Sequence, residues 1–214
     1  MTKVLVAGAT GQCGREVFRQ LDEAGFDVAA ANRDPEKAKD ILGNNIDSRE
    51  LNYENSETYA KVLEGIDALY LMLPNNVANL ADKAKVLLRT AKDKGIEKVI
   101  MLSAAGIETG SDNDLGQTEQ TIKDLGFDYT FLRPGWFMQN CLSYMYGTIM
   151  NNDAIMLPAG EGKSAFIDTR DIAAVAVKAF QNDEHSKSAY TLTGKEALDY
   201  HEVAEKLSRV AGRK

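Results

Sequence analysis

The sequence predicts an open α/β fold, a doubly wound parallel sheet with helices on both faces. Three observations predict it: short runs of β-branched and aliphatic residues, longer stretches of helical period between them, and glycine or proline at the joins. Right-handed crossovers of such strand–helix–strand units place successive strands side by side.

Residues 4–7 are wholly apolar, as expected of a strand buried on both faces. A glycine-rich turn follows. Residues 15–24 then carry Val17, Phe18 and Leu21 on one helical face and stop at Gly25, a suitable C-terminal cap. Residues 28–31 form the second strand, after which Asp34 and Pro35 supply an N-cap and a proline at the first helical position. Residues 46–51 are expected as a strand only from their place in the alternation. Residues 68–73 form the next strand, and the helix over 77–94 aligns Leu80, Ala84, Leu87, Leu88 and Ala91 before Gly95. Residues 98–102 and 129–132 complete the buried strands. Beyond Gly135 an aromatic and Met-rich helix is expected over 136–150 and a second over 172–180, with Ala173, Val177 and Phe180 inward. A strand over 190–192 and a helix over 200–210 close the chain.

A length of 214 residues suits one domain, 1–214, with 135–214 as a reduced substrate-side lobe over the carboxyl edge of the sheet. The 25 basic and 32 acidic residues leave a net charge of −7, with no basic cluster to meet a phosphate backbone, so direct nucleic-acid binding is not expected. The apolar start is too short for a signal peptide and no run is long enough to span a bilayer, so no membrane partner is expected. Cys13 and Cys141 match no disulfide or metal spacing, which places the chain in the reducing cytoplasm. His185 and His201 stand apart and make neither a zinc site nor a triad; no metal is expected.

The turn Gly8-Ala9-Thr10-Gly11-Gln12-Cys13-Gly14 carries the strongest chemical signal. Gly8 permits the tight exit from the strand, Gly11 lets the backbone approach a diphosphate, and Gly14 lets the helix pack close to the sheet. The N–H groups at the helix start then favour an anion. This is the dinucleotide-binding arrangement of a Rossmann-type fold. At the end of the second strand Asp34 is occupied as an N-cap, which leaves Arg33 to meet a 2′-phosphate, so NADP(H) is expected ahead of NAD(H).

The chain resembles the NmrA-like group of atypical short-chain dehydrogenases/reductases, and within it the NAD(P)H:quinone oxidoreductase type 2 branch. The likeness rests on residues 8–14, 32–38, Thr118-Glu119, residues 129–140, 169–173 and 190–194, in the family's order through nearly the whole chain. It implies a cofactor across the sheet edge, with Thr10, Gly11, Gln12 and Cys13 at the pyrophosphate and Arg33 at the adenosine phosphate. It also implies Leu73, Pro74, Asn75 and Ser103 beside the ribose and nicotinamide, and Pro134, Gly135, Trp136 and Phe137 bordering the nicotinamide end. Trp136 and Phe137 could equally be core aromatics.

Two departures stand out. No tyrosine has a lysine four positions on, and the segment 116–121 that should supply the pair reads Gly-Gln-Thr-Glu-Gln-Thr, so the usual proton donor is absent and no catalytic residue is assigned. The family also commonly continues past residues 211–214. A reductase passing hydride to a small acceptor such as a quinone is expected, since solvent can protonate a quinone oxygen. A non-catalytic NADP(H) sensor is the alternative. Ser103, Glu119 and Tyr144 are conceivable polar helpers, each read first as a structural hydrogen-bonder, and Cys13 is read first as small-residue packing. Oligomeric state is not legible; a homodimer is left open.

Overall fold

The computed structural model describes residues 1–75 and 77–212. Among them a seven-stranded sheet runs β3-β2-β1-β4-β5-β6-β7, every pair parallel. In chain order the strands are β1 Lys3–Ala7, β2 Asp27–Asn32, β3 Asp47–Glu50, β4 Ala68–Met72, β5 Lys98–Leu102, β6 Asp128–Pro134 and β7 Ser188–Leu192. The helices are α1 Gln12–Glu23, α2 Pro35–Leu42, α3 Glu57–Val62, α4 Leu80–Asp93, α5 Asp114–Asp124, α6 Tyr146–Asn152, α7 Thr169–Gln181 and α8 Tyr200–Ala211.

The strand runs are apolar because both faces are covered. Leu5, Ala7, Leu69 and Leu71 point to one core with α3 and α4, while Val4, Val6, Ala68 and Tyr70 point to a second with α1 and α7. Asp34 caps α2 as expected, its Oδ1 accepting from the N–H groups of Glu36 and Lys37 at 3.1 Å. Strand order reverses between β1 and β4, and at such a switch point the carboxyl ends of the strands leave a crevice.

Two expectations need correction. The single helix over 136–150 is a 3₁₀ turn, Met138–Leu142, followed by the short α6. Its aromatic and Met side chains do not share a buried face: Met145 is buried and Phe137 packs on the second core, but Trp136, Met138, Leu142, Tyr144, Tyr146 and Met150 are all exposed, so tertiary packing cannot hold one long helix. The helix expected over 77–94 begins only at Leu80, after Asn79 in the left-handed region. From residue 169 the chain rejoins the main body: α7 packs on α1, and β7 extends the sheet. Among the described residues no helix is long and apolar enough to cross a membrane.

Candidate cofactor and acceptor site

The glycine turn is built for close approach. Gly8 sits at φ +69°, and its N–H donates to the Ala31 carbonyl at 2.8 Å, tying the turn to β2. A Cβ on Gly14 would collide with the Gly8 carbonyl, so only glycine lets α1 lie this near β1. Gly11 is the N-cap of α1 and brings no side-chain cap, and the first turn of α1 holds no acid. By contrast α2, α3, α4, α5, α7 and α8 each carry an acid there. The N-terminal amides and positive dipole end of α1 are therefore left for an external anion, as a dinucleotide pyrophosphate requires.

On the β2 side of this helix start lies a groove of about 710 Å³ lined by Gly8, Thr10, Gly11, Asn32, Arg33, Lys37, Tyr53 and Pro74, among others. Arg33 and Lys37 are exposed, and neither side chain has a hydrogen bond or ion pair among the described residues. Asn32 is a residue the sequence reading left unassigned. Its Oδ1 accepts from both the N–H and the hydroxyl of Thr10 at 3.1 Å, and the N–H fixes which way the amide points. Its Nδ2 is left buried without a partner. An amide thus stands at the strand end where a ribose-binding carboxylate would repel a phosphate. Its signal in the sequence was its place, one residue before Arg33. Arg33→Asp is expected to weaken NADPH more than NADH by about 1–3 kcal/mol, the scale of a charge-assisted contact. Titration of both nucleotides measures it, and equal losses would contradict the assignment.

On the other side a second groove, about 680 Å³, is lined by Gln12, Asn75, Ala104, Ala105, Pro134, Gly135, Trp136, Phe137, Asn140, Ser143 and Tyr144. Trp136 is 45% exposed and its ring centroid lies 6.3 Å from that of Tyr144, so it is not a core residue. Phe137 is half-buried, packing on the second core while reaching the groove. Gln12 spans from the glycine turn to the 3₁₀ segment, its Nε2 donating to the Gln139 carbonyl at 3.3 Å and to Ser143 Oγ. Gln139 is in turn held by Asp168, to which it donates at 2.8 Å.

Three expected residues line neither groove. Cys13 is buried with Sγ 3.3 Å from the Tyr70 hydroxyl, and burial pushes its thiol up to about 11, so it packs as a small apolar residue and offers the groove only backbone. Leu73 joins the first core. Ser103, buried at the end of β5, donates its hydroxyl to Glu119 Oε1 at 2.7 Å. Glu119 is fully buried on α5 and also accepts from Thr109 Oγ1 at 2.6 Å and from Arg133 Nε and Nη2. Burial alone would raise its carboxyl, but Arg133, Thr109 and Ser103 together hold it below the usual range.

Residues 8–183 match the family model described as NAD(P)H-binding. The chain belongs to this NAD(P)H-binding family. It is 36% identical to the NAD(P)H azoreductase of Xenophilus azovorans, over 98% of this chain and 74% of that protein. It is 26% identical to quinone oxidoreductase 2 of Escherichia coli. The crystal structure of that quinone oxidoreductase with NADPH matches at a TM-score of 0.82, covering 99% of this chain and 76% of that one. A Citrobacter triphenylmethane reductase complexed with NADP(H) shares the fold at a TM-score of 0.83 and 24% identity. The NAD(P)H-binding chain thus spans about three quarters of these relatives. The kinship expected from the motifs is present, and the azoreductase is more similar in sequence than the quinone oxidoreductase.

Proposed function

We propose that this member of the NAD(P)H-binding family is an NADPH-dependent reductase of a flat, electron-poor, quinone-like acceptor. One observation carries the reading: the uncapped, acid-free start of α1 lies between a groove with two unpaired cations, whose acids Asp34 and Glu54 are taken up by the α2 cap and by Lys83, and a groove whose lining among the described residues holds no Asp, Glu, Lys, Arg or His. The first suits a phosphorylated adenosine. The second suits an uncharged aromatic ring and disfavours a nucleotide-sugar diphosphate, which would need cations there.

In this reading backbone groups of Gly8, Thr10, Gly11, Gln12 and Cys13 hold the pyrophosphate, and Arg33 with the Asn32 amide meets the 2′-phosphate. The backbone from Leu73 through Pro74 to Asn75 passes along the ribose, and the segments around Ser103 and from Pro134 to Phe137 floor the nicotinamide end. When bound, NADPH supplies hydride. Trp136, Phe137 and Tyr144 hold the acceptor flat and exclude water from one face, so positioning carries the catalysis. The same surfaces support the azoreductase and quinone oxidoreductase relatives as guides to acceptor class, and a soluble cytoplasmic enzyme fits the chemistry.

The test is to mix protein and NADPH with a panel of quinones and follow cofactor absorbance. Turnover is expected. Tight binding of NADPH with no turnover on any quinone would replace the reductase by a nucleotide sensor.

A further inference from the structure

The helix that lacks a Tyr/Lys pair does not leave its place blank. It points Glu119 at the ends of two neighbouring strands: at Ser103, directly before the groove-lining Ala104 and Ala105, and at Arg133, directly before Pro134 and Gly135. The two segments are joined behind the groove as well, Ser103 N–H donating to the Leu132 carbonyl at 2.7 Å and Ala105 N–H to the Pro134 carbonyl at 2.9 Å. Thr109 adds the loop that follows, donating to Glu119 Oε2 while Arg133 Nη2 donates to Thr109 Oγ1 at 3.1 Å.

We propose that Glu119 is a positioning residue that fixes the groove floor and engages the only hydroxyl proton of Ser103. The strand ends then offer the acceptor no acid, which favours hydride acceptors whose reduced form is a weakly basic anion. The donor direction decides this. A carboxylate bonded by Arg133 can only accept, so the Ser103 proton points to Glu119 and is withheld from the groove. Among the described residues the one titratable side chain of the groove lining is Tyr144, beside Trp136 and between the 3₁₀ turn and α6, not at a strand end.

The chemistry follows from the balance, and it rests on the reductase reading above. A quinone takes one hydride, two electrons with one hydrogen, from the reduced cofactor, which is left oxidised. The new bond to hydrogen forms as the quinone π electrons move onto oxygen, giving a phenolate whose basicity is near that of tyrosine, about 10, and a proton from water completes the hydroquinone. A simple ketone would instead become an alkoxide about as basic as hydroxide. It would need an acid at the moment of transfer, and a positioned acid is worth roughly 100- to 10,000-fold.

The experiment compares 1,4-benzoquinone with cyclohexanone in the wild-type chain, Ser103→Ala and Glu119→Gln, with NADPH affinity and thermal midpoint measured alongside. The wild type is expected to reduce the quinone and to turn over the ketone at least about 100-fold more slowly. Ser103→Ala, which leaves Glu119 three donors, should change the quinone and ketone rates by the same factor and keep their ratio within about threefold, whereas loss of a proton donor would slow the ketone about 100-fold or more relative to the quinone. Glu119→Gln should lower quinone kcat by about tenfold or more through misplacement while NADPH affinity stays within about twofold. Comparable ketone and quinone rates in the wild type, a ketone-to-quinone ratio that falls about 100-fold in Ser103→Ala, or NADPH affinity falling in step with kcat in Glu119→Gln would each overturn this proposal alone. NADPH binding with neither acceptor reduced would overturn the reductase reading and this proposal with it.

Discussion

Gly14→Ala is expected to destabilise the chain and to weaken NADPH binding in the same step. The added methyl would meet the Gly8 carbonyl and lie 3.2 Å from Ala9 Cα. These are backbone atoms, so no flexible side chain can yield and α1 must back away from β1. Overpacking of this kind costs about 1–3 kcal/mol, a fall in Tm of roughly 2–12 °C for a chain of this length. The same shift moves the amides at the start of α1 out of register with a diphosphate, so NADPH affinity should fall by about tenfold or more. Gly147→Ala is the control: it lies in α6 with nothing near its missing Cβ, and alanine there should be neutral or stabilising by up to about 1 kcal/mol. Calorimetry and nucleotide titration on both variants separate the two effects.

Arg133→Met is expected to cost about 3–5 kcal/mol at neutral pH, because it leaves the fully buried Glu119 without its cation. The loss should depend on pH in a definite direction. In the native chain the Glu119 carboxyl is depressed, so its contribution is fully present above the ordinary glutamate range and fades as pH falls through the lower folded value. Without Arg133, burial dominates and raises the carboxyl, so the variant binds a proton earlier on acidification and relieves its own charge. The stability gap between variant and native protein should therefore narrow between pH 8 and pH 5. A gap that is constant or widens over that range would show that Arg133 acts by packing alone.

The central strands were legible because burial on both faces leaves an unmixed apolar run, as in residues 4–7 and 68–71. β3 was legible only from position, since its Asp-Ser-Arg-Glu sequence sits at the sheet edge with no apolar pattern. α3 was missed: six residues are too few to show a period, and only Tyr59 and Val62 turn inward. The segment 136–150 misled because aromatics and methionines were read as a helix face, when all of them but the buried Met145 belong to a groove or an exposed surface. At the site, glycine chemistry made the close-packed turn over residues 8–14 readable, and Asp34 caps α2 as expected while Arg33 stands unpaired. The Asn32 amide and the Glu119 network were not readable, because each is defined by partners far off in sequence: Thr10 for the one, and Ser103 and Arg133 for the other.

Trp136 is the sole tryptophan of the chain and lines the second groove, which makes it a reporter for the site. Titrating NADPH while exciting Trp136 should quench its emission saturably, with transfer to the nucleotide and tighter binding than NADH. An unchanged Trp136 emission, together with no detectable binding of either nucleotide at millimolar concentration, would contradict the assignment of the α1 start as the pyrophosphate cradle.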